Sequence, residues 1–187
     1  MKKALLYLHI LFYKKCPRKD VIEQDIDHWK EILHWDGTYE QLIIRLLLER
    51  QEFRNLFYHR LGHAKGFKPI LKLIAPPLAT LYIYTHDIGG GLFIQHGFST
   101  SIGADKIGKH CFINQQVSIG YNGDKSSIIG DNVLITCGAK VLGATVGNNV
   151  KIGANAVVIK DVPDNVTVVG VPAYIIKRDG VRVYEEL

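Results

Sequence analysis

Across the second half of the chain an aliphatic residue returns at six-residue intervals. Ile88 and Ile94 are six apart, as are Ile107, Ile113 and Ile119; after a break come Ile129, Ile135 and Val141, then Val146, Ile152 and Val158. A glycine or another small or polar residue often follows, as in "IGKHCF", "INQQVS", "IGDNVL" and "VGNNVK". A six-residue unit suits a short strand and a turn. Three units close a triangular coil, and each aliphatic residue then stacks over the one about 18 positions earlier. Every coil covers the apolar interior of its neighbour, so stability grows with the stack. Ile88 to Val169 has room for about four or five coils. Intervals of five, Ile102 to Ile107 and Val141 to Val146, predict tightened corners. The break "YNGDKSS", Tyr121 to Ser127, predicts a loop projecting from the coil wall. Periodicity leaves the handedness open, and the general crossover preference is right-handed.

The first part has a helical period instead. "VIEQDIDHWKEILHW" sets Ile22, Ile26, Trp29 and Leu33 on one stripe. Thr38 with Gln41 three residues later makes a capping box. It opens "YEQLIIRLLLERQEFRNLFYHRLG", read as one helix that Gly62 closes. Pro76 and Pro77 end helical structure. The organisation expected is therefore α+β: a helical N-terminal domain over 1–79, then a parallel β-helix of hexapeptide repeats with a C-terminal tail over 80–187.

Charge narrows the classes of partner. The net charge is +5, with 47% hydrophobic and 22% charged residues. Residues 1–72 hold 14 Lys/Arg against 9 Asp/Glu, and the remainder holds 9 of each, so the excess sits wholly in the helical part. Dense basic runs with interleaved aromatics are missing, which argues against nucleic acid. Cys16, Cys111 and Cys137 are odd in number and widely spaced, which fits a reducing cytoplasm and neither a disulfide framework nor a zinc site. In "MKKALLYLHILFYKKC" the apolar stretch Ala4–Tyr13 is too short to span a bilayer, where about 20 residues are needed. With lysines on both sides and no small-residue cleavage site, it reads as an interfacial or partner-packing helix. A cytoplasmic location follows, with peripheral association at the inner face of a membrane as an extension of it.

The pieces "IGGGLFIQHG", "INQQVSIG", "IGDNVLITCGAKVLG" and "VGNNVKIGANAVVIKDVPDNVTVVGVPAYIIK" resemble the hexapeptide-repeat acyltransferases, most closely the serine acetyltransferase branch. The resemblance covers about half of the chain. It implies a left-handed coil, three subunits side by side as a homotrimer (trimers can also pair into hexamers), and acetyl-CoA as co-substrate in the groove between neighbouring coils, with no metal. His96 in "IQHG" then takes the place of the general base. The chemistry suits it: an alcohol is too weak an acid to attack a thioester unaided, and a neutral imidazole can take its proton. The resemblance also puts Gly120 and Tyr121 at the pantetheine and thioester, with a backbone amide for the oxyanion. Thr136, Cys137 and Ala154 border the coenzyme arm. Lys160, Lys177 and Arg178 are candidates for its phosphates, and Gly170–Ala173 for the turn at its adenine end.

The departures concern the acceptor. Where the serine enzymes have an aspartate before the base, this chain has Gln95; where their loop has an Arg-His pair for the carboxylate, it has Lys125 and Ser126. The position of the aspartate that orients their histidine falls at Leu81, leaving Asp87 or His86 as stand-ins. A missing charge-assisted contact is worth about 1.5–3 kcal/mol. The terminus "RVYEEL" is also a poor copy of the tail that docks into a sulfhydrylase. The expectation is thus an O-acetyltransferase acting on a sugar hydroxyl in surface polysaccharide assembly, with serine O-acetylation in cysteine synthesis as the alternative. Two other classes compete. A non-catalytic trimerisation module would dispense with His96, and a metal enzyme of the hexapeptide carbonic anhydrase kind would need His86, His96 and His110 to converge.

Overall fold

A computed structural model describes residues 2–64 and 66–187; of Lys2, Lys3 and His63 it describes the backbone alone. Met1 and Lys65, which fall within the helical domain expected over 1–79, lie outside the described residues. Among the described residues five α-helices lead: α1 (Lys2–Lys14), α2 (Lys19–Leu33), α3 (Tyr39–Glu49), α4 (Gln51–Arg60) and α5 (Lys68–Ile74). The Thr38–Gln41 capping box forms as expected, with both reciprocal hydrogen bonds. The long helix expected from Tyr39 to Gly62 is instead two. Arg50 leaves helical geometry at φ −127° and ψ 102°. Arg54 makes that break tolerable: its guanidinium donates to the Leu47, Leu48 and Pro76 carbonyls at 2.7–2.9 Å, filling acceptors that an interrupted helix leaves open. Gly62 does not close α4 either; it opens a short 3-10 turn, Gly62–Ala64.

The coil follows. Its first turn is β1 (Leu81–Ile83), β2 (Asp87–Ile88) and β3 (Phe93–Ile94), which starts one strand before Ile88. The second is β4 (Thr100–Ile102), β5 (Lys106–Ile107) and β6 (Phe112–Ile113); the third is β7 (Ser118–Gly120), β8 (Ile128–Ile129) and β9 (Leu134–Ile135). The fourth is β10 (Lys140–Leu142), β11 (Thr145–Val146) and β12 (Lys151–Ile152). The fifth is β13 (Val157–Val158), a bridge at Val162, and β14 (Val166–Val169). Each strand pairs in parallel with its counterpart one coil away, giving three faces: β1-β4-β7-β10-β13, β2-β5-β8-β11 and β3-β6-β9-β12-β14. Ile83, Ile102, Ile119, Val141 and Val158 stand in one register row, and Ile94, Ile113, Ile135, Ile152 and Val168 in another. Most are fully buried, and each such side chain contributes about 1.5–3 kcal/mol. An antiparallel pair, β15 (Tyr174–Arg178) and β16 (Val181–Glu186), extends the third face.

The corners show how six residues suffice per side. At the corner between the second and third faces, His110, Asn132, Asn149 and Asn165 all adopt φ between 53° and 59°. Asparagine tolerates that region best among residues with a Cβ, and the Asn132, Asn149 and Asn165 amides hydrogen-bond one another up the edge. The preceding Gly108 and Gly130 stack so closely that a Cβ on Gly108 would lie 2.5 Å from the Gly130 backbone.

One apolar cluster runs without interruption from the helices into the coil. The join is polar at its centre. Asp25 accepts from Gly91 N and Leu92 N at 2.8 and 3.1 Å and pairs with Arg60 through both carboxylate oxygens. Arg60 also donates to the Ile88 and Gly89 carbonyls, and Trp29 Nε1 donates to Leu92 O. Helices α2 and α4 thus grip the glycine run that ends five residues before His96.

Candidate functional site

His96 occupies the corner between β3 and β4, where the third face turns into the first. That corner is wider than those below it. Ile94 and Ile102 are eight residues apart, whereas Ile113 and Ile119, Ile135 and Val141, and Ile152 and Val158 are six apart. The two additional residues form a bulge in which His96, Gly97 and Ser99 have φ of 64°, 61° and 52°. Holding two residues with a Cβ in the left-handed region costs free energy, about 1–2 kcal/mol each. The result is an exposed imidazole on a corner whose Gly97 is itself buried.

Three elements brace the bulge. A Cβ on Gly97 would lie 3.1 Å from Ile94 Cγ2, 3.2 Å from Leu81 Cδ2 and 3.3 Å from Glu52 Cβ. The first turn of α4 is therefore packed against the corner. Asn55, one helical turn beyond Glu52, pins α4 there: its amide donates to the Leu78 and Leu81 carbonyls and accepts from Leu78 N. Leu81, the sequence position of the orienting acid, is a buried apolar wall of this corner. Glu52 is an acid whose Cβ packs against this corner. It forms no ion pair among the described residues. Sequence reading missed it because a glutamate in the first turn of a helix is ordinary; the signal available was the eight-residue interval, which marks where a neighbour must fit.

The other expected residues divide between two edges of the prism. On the edge of His96, Gln95 accepts from Asn114 Nδ2 at 2.8 Å, so its amide is held by the coil below. Under His96 come Gln115, then Thr136 and Cys137, then Ala154, in successive coils. Thr136 Oγ1 donates to Ile152 O at 2.7 Å. Gln115 Oε1 is enclosed with no partner among the described residues. Below the imidazole the edge carries small side chains, Thr136 and Cys137 half-buried and Ala154 exposed.

Gly120, Tyr121, Lys125, Asp87 and Lys160 lie on the opposite margin of the first face, where it turns into the second. Asp87, in β2, is not beside His96 within one chain, and neither is His86. The Tyr121–Ser127 loop is present, and it packs down over the next coil rather than standing clear. Asn122 and Lys125 bridge, a Cβ on Gly143 would meet Asn122 Cβ at 2.6 Å, and Lys125 pairs with Asp161 at 2.8 Å. That pair holds the Asp161 carboxyl below its usual range. Tyr121 is 59% exposed. Lys160 donates to Leu187 O at 2.5 Å on the rim of a depression of about 380 Å³ that Pro172 and Tyr184 also line. The Gly170–Ala173 turn reaches the same depression. Arg178 pairs with Glu185, and no hydrogen bond or ion pair engages the Lys177 ammonium among the described residues.

The three histidines considered for a metal stand on three different corners, with His110 edge-on to His28 at 5.2 Å. Among the described residues no group of three potential ligands comes together. Cys16 and Cys111 are buried, and burial pushes the Cys111 thiol up to about 12. Cys137 is half-buried on the edge below His96.

No protein-family model matches the chain. It is 49% identical over 103 residues to a serine acetyltransferase of Staphylococcus xylosus, covering 52% of this chain and 48% of that protein. The chain spans about half the length of the curated relatives it matches. Among solved structures, the serine acetyltransferase from Brucella abortus strain S19 is 30% identical with a TM-score of 0.66, covering 90% of this chain and 72% of that one. A Neisseria gonorrhoeae serine acetyltransferase in complex with serine is 26% identical with a TM-score of 0.62, covering 85% and 69%.

Proposed function

Since the chain belongs to the hexapeptide-repeat acyltransferases, whose coil is a left-handed β-helix, and to their serine acetyltransferase-like branch, we propose that it is an acetyl-CoA-dependent O-acetyltransferase with His96 as general base. The observation that carries this is the bulged corner. An imidazole sits at strained φ on a rigid coil, braced by α4, above an edge of small residues. Acetyl-CoA supplies the acetyl thioester. His96 takes the proton of the acceptor hydroxyl as it attacks and holds it for the departing thiol. We assign the coenzyme arm to the edge formed by Gln115, Thr136, Cys137 and Ala154, where the side chains are uncharged and mostly small. Gly120, Tyr121 and Lys160 belong to the other margin of the first face. A complete site therefore takes the His96 edge of one protomer and the Tyr121 edge of its partner, which a threefold side-by-side assembly supplies.

Serine is the acceptor we favour. The relatives bear that name, and they weigh against the sugar acceptor expected from the departures at Gln95, Lys125 and Ser126. The ammonium of serine needs an anion, which neutral Gln95 does not offer; Glu52 does, at the same corner. A sugar hydroxyl remains the second reading, because Gln95 and Lys125 are both engaged by the coil. Steady-state kinetics with serine and with a panel of nucleotide-linked and lipid-linked sugars separates them. Efficient turnover of serine that falls in Glu52→Gln through a raised KM supports serine; turnover of sugars alone refutes it.

A further inference from the structure

The helical part carries a surface that this chemistry does not use. α1 and α5 pack side by side, with the Phe12 and Phe67 rings 5.2 Å apart. Leu6, Ile10 and Tyr13 of α1 and Leu71 of α5 are buried, yet Leu5, Leu11, Phe67 and Ile70 are each more than half exposed and Leu73 is 85% exposed. Scattered exposed leucines are ordinary. Five large apolar side chains on two touching helices make a patch that calls for a partner.

The charge carried by α1 and α5 themselves has one sign. Residues 4–15 contain Lys14 and Lys15, residues 66–86 contain Lys68 and Lys72, and neither stretch has an aspartate or glutamate. Glu40 of α3 comes to Lys14 at 3.3 Å, and Glu23 of α2, which accepts from Tyr13, is paired with Lys19, so the lysines stay in excess. A second copy on this surface would set lysine against lysine. An anionic bilayer instead meets both features: the apolar side chains enter the boundary between headgroups and acyl chains, and the ammonium groups meet lipid phosphates. No helix among the described residues is long and apolar enough to cross a membrane, so the contact is peripheral. We propose that the α1–α5 surface docks the protein on an anionic phospholipid membrane.

The test is co-sedimentation of the full chain with vesicles of phosphatidylcholine, alone or mixed with phosphatidylglycerol. Binding is expected to the mixed vesicles, weak to the neutral ones, and reduced by salt. Lys15→Gln with Lys72→Gln should weaken it about 30-fold, from about fivefold for each lysine near a charged surface. Ile70→Glu with Leu73→Glu, both at exposed positions, should abolish it with an unchanged circular dichroism spectrum. Failure to bind the mixed vesicles, binding indifferent to the glutamates, or a dimer in sedimentation velocity that the glutamates dissolve would each overturn the proposal.

Discussion

Replacing Asp25 by Ala removes the carboxylate on which α2, α4 and the first coil converge. Asp25 and Arg60 side chains are each only 2% exposed. Burial pushes the Asp25 carboxyl up, and the guanidinium and the two amides that donate to it pull it back. Removing one partner of a buried pair costs about 3–5 kcal/mol, because Arg60 is left charged in an apolar setting. Gly91 N and Leu92 N also lose their acceptor, at about 1–3 kcal/mol each when buried. Asp25→Asn keeps an oxygen for those amides and isolates the charge, so it should lose about 3–5 kcal/mol, with Asp25→Ala lower by a further 2–6 kcal/mol or so for the two amides together. Against a total of about 5–15 kcal/mol for a domain, Asp25→Ala should be partly unfolded at rest. Guanidinium unfolding at fixed protein concentration measures both. An Asp25→Ala midpoint indistinguishable from that of the parent would refute the claim that this pair joins helices to coil.

Two further perturbations probe the same region. Gly97→Ala places a Cβ against Ile94, Leu81 and Glu52 at φ 61°; it should cost about 1–3 kcal/mol and, by shifting the adjacent imidazole, lower kcat up to about 100-fold. Wild-type values for both stability and kcat would show that the corner is slack. His59 has its imidazole pushed down to about 4 by burial and by the neighbouring cations Arg60 and Lys68. Below its ordinary pKa of about 6.5 the unfolded chain takes up the proton that the folded chain refuses, so stability should fall as pH drops from about 6.5 to about 4. Urea midpoints at the two ends of that window should differ by about 2 kcal/mol less in His59→Gln than in the parent; equal differences would remove His59 as the cause.

The coil was legible because its cause is local and repeated: every sixth aliphatic residue points inward, and the five-residue intervals at Ile102–Ile107 and Val141–Val146 mark real corners. The Thr38 cap was legible for the same reason. The break at Arg50 was not, since apolar residues continue in helical register through Leu47 and Phe53 and the stop is secured by Arg54 reaching Pro76. Asp25 and Arg60 look like solvent-facing charges on amphipathic helices; only the folded chain brings them onto the Gly89–Gly91 run. Asp87 and Lys125 were assigned to the acceptor by sequence position, and the prism puts them on a different edge from His96. Which edges meet depends on how protomers assemble, and a hexapeptide period carries no signal for that.

The account's central claim is that the corner imidazole does the proton transfer. The direct measurement is kcat for acetyl transfer by His96→Ala beside the parent, with CoA affinity determined by calorimetry on the same samples. A loss of about 10²–10⁴-fold in kcat with CoA binding intact is the result expected. An undiminished rate would contradict it.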